Sequence, residues 1–119
     1  MKNRNIIHKK KIRNPYFSII TVVKNDEKNI VKTIKSINNQ TYKKFEHIII
    51  DGKSEDNTIK NILKNKKNLN LLVSERDKGI YFAMNKGANI ASGKIIVFIN
   101  SGDLITKKSL KIVKKEFEK

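Results

Sequence analysis

Four times along this chain a short apolar run breaks abruptly into a polar turn, and a helical repeat follows. The last instance is the clearest. In KIIVFINSGD, Lys94–Asp103, the consecutive apolar residues Ile95 to Ile99 give way to Asn100, Ser101, Gly102 and Asp103. A run so short and so apolar suits a strand covered on both faces better than an exposed helix. Tyr16–Val23 reads the same way and ends at Lys24, Asn25, Asp26 and Glu27. Phe45–Ile50 runs into Asp51, Gly52, Lys53, Ser54, Glu55 and Asp56. Leu69–Val73, a shorter strand, runs into Ser74, Glu75, Arg76, Asp77, Lys78 and Gly79.

The intervening segments carry helical spacing. Ile30, Ile34 and Ile37 form one apolar face, and Ile59, Ile62 and Leu63 form another. A third helix over Ile80–Ala91 places Ile80, Met84, Gly87 and Ala91 on one side, with Met84 as core filler. A last helix begins at Thr106 or Ser109 and turns Leu110, Val113 and Phe117 inward. Asn25 or Asp26 can cap the first helix, Ser54 or Asp56 the second, and Ser92-Gly93 ends the third. Alternating strand and helix predicts an α/β fold: a mainly parallel sheet of about four strands, helices on both faces, right-handed crossovers. In such a sheet the four polar turns share one edge, where open α/β sheets bind ligands. Four weak signals thus become one candidate site.

The 119 residues suit one domain, expected over 15–119, preceded by a mobile basic arm over 1–14 in which His8 is a solvated side chain. Cysteine is absent, which excludes disulfides and thiolate metal sites. No apolar run approaches the roughly 18 residues of a membrane span, and the N-terminus lacks a signal-peptide core, so a cytoplasmic location is the expectation. The net charge of +16, from 27 Lys and Arg against 11 Asp and Glu, points to polyanionic partners: nucleic acid, anionic lipid or phosphate-bearing substrates. Most of the lysines are spread along solvated helix faces and fit a compositional bias instead.

A carboxylate-rich edge calls for a cation, or for hydroxyl and N–H donors such as those of a ribose and a base. Magnesium is typically held by one or two carboxylates together with substrate phosphates. Neither GxGxxG nor GxxxxGK[ST] occurs, so phosphates must be met by a metal and by basic side chains such as Lys24 or Arg76. A nucleoside diphosphate fits. Blander readings stand beside this one. Asp51 could only cap its turn, Ser54 could be a helix cap, and Glu75 and Asp77 could be solvated loop charges. Tyr81 and Phe82 suit packing, and His47, among apolar residues on a strand, suits a structural role.

The segments FSIITVVKNDEKNIVKTIKSINNQTY, HIIIDGKSEDNT, SERDKGIYFAMNKGANIASG and KIIVFINSGD, covering about residues 16–105, resemble the family 2 glycosyltransferases of GT-A fold in order and spacing. The resemblance implies the Rossmann-like, nucleotide-sugar-binding half of such an enzyme. It implies that Thr21, Val23, Asn25 and Glu27, with Asp51 and Ser54, hold the base and ribose. It implies that Arg76, Asp77 and Asn85 line the donor site, that Ser101 adjoins it, and that Asp103 binds one divalent cation, Mn²⁺ or Mg²⁺. Asn100 and Gly102 stand where that metal region more often carries acidic residues.

The implied activity is transfer from a UDP-type sugar to a saccharide or lipid-linked saccharide in bacterial cell-surface polysaccharide synthesis, at the inner face of the membrane. The implied acceptor half, with its general base, lies beyond the resembling segments. The chain is therefore expected to be a fragment, a truncated product or one half of a two-chain enzyme, binding donor without efficient transfer. The alternative is a basic nucleic-acid-binding module, which is disfavoured because no aromatic-basic platform or recognition helix is present.

Overall fold

The computed structural model describes residues 4–119. Five strands and four helices follow in the order β1 (Ile6–Lys9), β2 (Phe17–Val23), α1 (Ile30–Asn38), β3 (Phe45–Asp51), α2 (Thr58–Lys64), β4 (Leu71–Ser74), α3 (Ile80–Ile90), β5 (Ile95–Phe98) and α4 (Ser109–Phe117). They build one sheet in the order β1-β4-β3-β2-β5. The pairings β2–β3, β2–β5 and β3–β4 are parallel, and β1 joins β4 antiparallel. The α/β reading holds, with one strand more than the sequence suggests.

That strand corrects the expected arm. Ile6–Lys9 lies along β4, with Ile6 opposite Val73 and Lys9 opposite Leu71. Lys10 N donates to Asn70 O at 2.8 Å and Ser74 N to Asn5 O at 3.0 Å, so β4 is not left with a bare edge. His8 is likewise no free side chain: its Nε2 lies 3.1 Å from Leu69 O. The part of the arm over Met1–Asn3 lies outside the described residues.

Strand β2 is buried along its whole length, which is why its sequence is nearly unbroken by polar residues. Alternate residues face two cores. Ile20 and Val22, with Ile48, Ile50, Leu71 and Val73, pack against Ala83 of α3. On the opposite face Val23, Ile49 and Leu72 meet Ile30 and Ile34 of α1 and Ile62 of α2, while Phe17 and Ile19 meet Ile37 and Leu110 of α4. Helix α3 alone covers its face, and it approaches closely because Gly87 has no side chain. A Cβ there would sit 2.4 Å from Ile20 Cγ2. Its outward side carries Tyr81 and Phe82, 76% and 56% exposed, so these rings are not packing groups.

Within the α1–α2 face one polar pair is sealed. His47 is fully buried, and its Nε2 lies 2.8 Å from Thr21 Oγ1. The structural reading of His47 holds, and desolvation lowers its pKa to about 3, so the ring is neutral.

Two outcomes follow. The unfolded chain binds a proton at His47 near pH 6.5 and the folded chain does not, so stability falls as pH drops below 6.5. At about 1.4 kcal/mol per pKa unit, urea unfolding at pH 5 should show about 2 kcal/mol less stability than at pH 7, and His47→Gln should remove that slope. Gly87→Ala should cost about 1–3 kcal/mol in the same assay, because the β-branched Ile20 cannot swing aside.

Candidate functional site

The carboxyl ends of β2, β3, β4 and β5 open into four turns on one edge of the sheet, as the sequence pattern implies. The order of the strands places a switch point there. From β2 the chain steps outward to β3 and β4, then returns across β3 and β2 to place β5 on the other side of β2. Ligands of open α/β sheets bind at such reversals.

The turn after β3 is braced from within. Asp51 is completely buried. Its Oδ1 accepts from Ser54 Oγ at 2.5 Å, and its Oδ2 from Ser54 N at 2.9 Å and Ser74 Oγ at 2.8 Å. Ser54 Oγ in turn accepts from Asn25 N at 2.8 Å, and Asn25 Oδ1 from Glu55 N at 2.8 Å. Three turns are thus tied together through one carboxylate. Asn25 and Lys53 both hold left-handed backbone, at φ 48° and 65°. Asn adopts that region readily, whereas a lysine there is strained, as residues at ligand sites often are.

On the α1–α2 side a second set of bonds closes the edge. Asp26 N donates to Thr58 Oγ1 at 2.9 Å, and Asp26 Oδ2 accepts from Ser101 Oγ at 2.8 Å. Gly102 N donates to Thr33 Oγ1 at 2.8 Å. Glu27 N donates to Asp56 Oδ2 at 3.3 Å, and Asp56 Oδ1 accepts from Thr58 N and Thr58 Oγ1, the latter holding the Asp56 carboxyl below its ordinary range. Asp56 thus bonds the first residue of α2, but the cap position itself belongs to Asn57, which makes no side-chain cap bond. Helix α1 begins later, after Asn29, with no side-chain cap bond.

The α3 side stays open. A cavity of about 220 Å³ is lined by Val22, Val23, Lys24, Gly52, Asp77, Gly79, Ile80 and Ala83. An adjoining groove of about 300 Å³ is lined by Lys24, Gly52, Lys53, Glu55, Arg76 and Asp77. The first is mainly apolar, and the second carries three cations. Glycine at position 52 leaves room for the stem of Lys24, whose Cβ would be 3.4 Å from an added methyl.

Of the residues singled out in the sequence, the structure brings Val23, Arg76 and Asp77 to this opening, with Lys24. Asn25, Asp51 and Ser54 form the brace behind it. Thr21 lies inside the sheet against His47, and its hydroxyl does not reach the edge. Glu27 and Ser101 belong to the bonds on the other side. Asn85 is exposed on α3 and lines neither hollow. Asp103 is exposed in the β5–α4 connection, and its Oδ2 accepts from Asn100 N at 3.2 Å. Among the described residues no three His, Cys, Asp or Glu side chains gather as a metal centre.

Sequence reasoning passed over Lys53, Gly79 and Lys86. Gly79, at φ 138°, starts α3 in a conformation that only glycine adopts freely. Lys86, on α3, pairs with both Glu75, at 2.7 Å, and Asp77. Chiefly through the Lys86 hydrogen bond, the Glu75 carboxyl falls to a pKa of about 2. Glu75 and Asp77 are therefore not the solvated loop charges of the bland reading.

Known proteins resemble this chain in sequence and in fold. An uncharacterized glycosyltransferase of Mycobacterium tuberculosis is 38% identical over 90 residues, 75% of this chain and 34% of that protein. Glycosyltransferase AglE of Haloferax volcanii is 34% identical over 92 residues, 72% of this chain and 30% of that protein. The solved structure of S. aureus TarS 1–349 in complex with UDP-GlcNAc superimposes with a TM-score of 0.77 at 28% identity, covering 86% of this chain and 31% of that one. The chain thus spans about a third of the length of the proteins it matches. The family model for Glycosyl transferase family 2 matches residues 18–119. A sheet with this switch point, relatives of this kind and a family match from Ser18 to Lys119 lead to one statement: the chain belongs to glycosyl transferase family 2.

Proposed function

We propose that this chain binds a nucleoside diphosphate sugar in the cavity and groove beside α3, as the donor-binding part of a sugar-transferring enzyme. The observation that carries the reading is the groove itself. Lys24, Lys53 and Arg76 line one hollow at the carboxyl ends of β2, β3 and β4, next to a mainly apolar cavity closed by Val22, Val23, Ile80 and Ala83. Three cations on a strained, glycine-bearing rim suit a diphosphate, and apolar walls suit the flat face of a base. TarS, solved with UDP-GlcNAc, is consistent with a UDP-type sugar as the ligand.

A divalent cation, Mn²⁺ or Mg²⁺, fits the oxygen donors near β5. Asp103 offers an exposed carboxylate, and Asn100 Oδ1 is buried without a partner. One carboxylate and an amide oxygen, completed by substrate phosphates, make a donor set for a hard cation. When bound, the ion would supply charge neutralisation for the departing diphosphate. The chain's own cations, Lys24 and Arg76, orient that group, and the Ser54–Asp51–Ser74 bonds hold the walls in register while it departs. The acceptor, a saccharide or lipid-linked saccharide of a cell-surface polymer, and the base that deprotonates it are assigned to a further region or partner chain. Contact with an anionic membrane is assigned to Lys9, Lys10 and Lys11, and should be lost from liposome sedimentation when all three become Gln. No observation supports the nucleic-acid alternative.

A thermal-shift series tests the reading. At 100 times its dissociation constant a ligand adds about 2.7 kcal/mol, which for a domain of this size raises the melting temperature by roughly 10 °C. UDP with Mn²⁺ should give such a shift. Asp103→Ala should remove its metal dependence, and Lys24→Gln or Arg76→Gln should reduce it with or without metal. A folded wild-type chain that no nucleotide shifts would overturn the proposal.

Loss of the brace has its own signature. Asp51→Ala leaves the Ser54 and Ser74 hydroxyls and the Ser54 N–H without their acceptor, at a cost of about 1–3 kcal/mol in ligand-free unfolding. Its effect on UDP affinity should accompany that loss.

A further inference from the structure

We propose that Lys86 is a positioning residue that holds Asp77 as an acceptor for a hydroxyl or N–H donor of the ligand in the cavity, an inference that rests on reading that cavity as a nucleotide site. Four charged side chains form one line: Arg4, Glu75, Lys86 and Asp77. Arg4 Nη1 lies 3.2 Å from Glu75 Oε1, and Lys86 Nζ lies 2.7 Å from the same oxygen and against Asp77 Oδ1. Asn5 N adds a bond to Glu75 Oε2 at 3.2 Å. Solvent exposure decreases along the line, from 33% at Arg4 through 23% and 13% to 7% at Asp77. The link least screened by water is therefore the one nearest the cavity.

Asp77 contributes to the walls of both cavity and groove. One of its oxygens is held by Lys86, while the other, Oδ2, is buried and has no hydrogen-bond partner. A buried carboxylate oxygen without a donor is costly, and proteins keep such an atom where something else completes it. A donor carried by a ligand in the cavity completes this one. The line also balances charge: two cations face two carboxylates, so Asp77 adds no net negative charge to repel a diphosphate. Burial alone would lower the pKa of Lys86, but the bonds to Asp77 and Glu75 outweigh it and hold the ammonium above its ordinary value. The lysine stays charged, and its anchor in the N-terminal segment keeps it in place.

A double-mutant cycle on UDP affinity, measured calorimetrically, separates positioning from mere stabilisation. Lys86→Gln should weaken UDP at least tenfold, and Asp77→Asn should weaken it by a similar factor. Because Lys86 acts through Asp77, the double variant should be no weaker than Asp77→Asn alone. Lys86→Arg, which can still bridge two carboxylates, should bind nearly as the wild type does. Ligand-free melting temperatures confirm that each variant is folded, and Lys86→Met replaces Lys86→Gln if the latter is not. Additive losses, or an unchanged affinity in Lys86→Gln, would overturn the inference while leaving the cavity a nucleotide site. A wild-type chain that binds no UDP would overturn both.

Discussion

The right-handedness of parallel crossovers decides the shape of this molecule. Steps from β2 to β3 and from β3 to β4 move the same way across the sheet, so α1 and α2 must lie on the same face. The step from β4 to β5 moves back over two strands, and the same hand then places α3 on the opposite face. Helix α3 is alone there, which leaves its N-terminal end beside open space. The cavity occupies that space, between Gly79 and Ile80 on one side and Val22, Val23 and Gly52 on the other. A close helix–sheet contact at Gly87 sets the depth of this opening, since any larger residue there would lift α3 away from Ile20.

The carboxylates on the edge divide into two kinds, and hydrogen bonding distinguishes them. Both oxygens of Asp51 accept hydrogen bonds from Ser54 and Ser74, and the residue has no exposed surface. It can shape a ligand site only by fixing the loops that border it. Asp26 is tied through Asn29 and Ser101 in the same way. Asp77 differs, because one of its oxygens is left over. An oxygen without a partner at the wall of a cavity carries more chemical information than a whole carboxylate that is satisfied from within.

Much of this fold was legible because its signals are local. Apolar runs bounded by polar turns mark β2, β3, β4 and β5, and isoleucines at helical spacing mark α1 and α2. Each of those segments carries its own instruction. Strand β1 does not: Ile6–Lys9 is four residues long, half of it polar, and becomes a strand only because β4 offers an unpaired edge. Thr21 looked like a residue of the ligand edge because it precedes the turn, yet its side chain points into the sheet, where His47 from the neighbouring strand needs a partner. Lys86 was hidden for the opposite reason. One lysine among many on a basic helix is indistinguishable until the loop after β4 folds back and brings Glu75 and Asp77 to it.

Reading acidic turns as an acidic site therefore misstates the electrostatics. In the sequence the four turns are rich in Asp and Glu, which suggests an edge waiting for cations. In the folded chain Asp26, Asp51 and Asp56 turn toward serine and threonine hydroxyls, and Glu75 and Asp77 toward Lys86. The long basic side chains cannot be buried cheaply, so Lys24, Lys53 and Arg76 remain at the surface and line the groove. Glu55 is the carboxylate of that groove without a lysine partner of its own among the described ion pairs, whereas Asp77 is matched by Lys86. On the α3 side the folded edge sets Lys24, Lys53 and Arg76 beside mainly apolar walls, a rim more cationic than the turns spell out, and that rim is the electrostatic basis for proposing a diphosphate there.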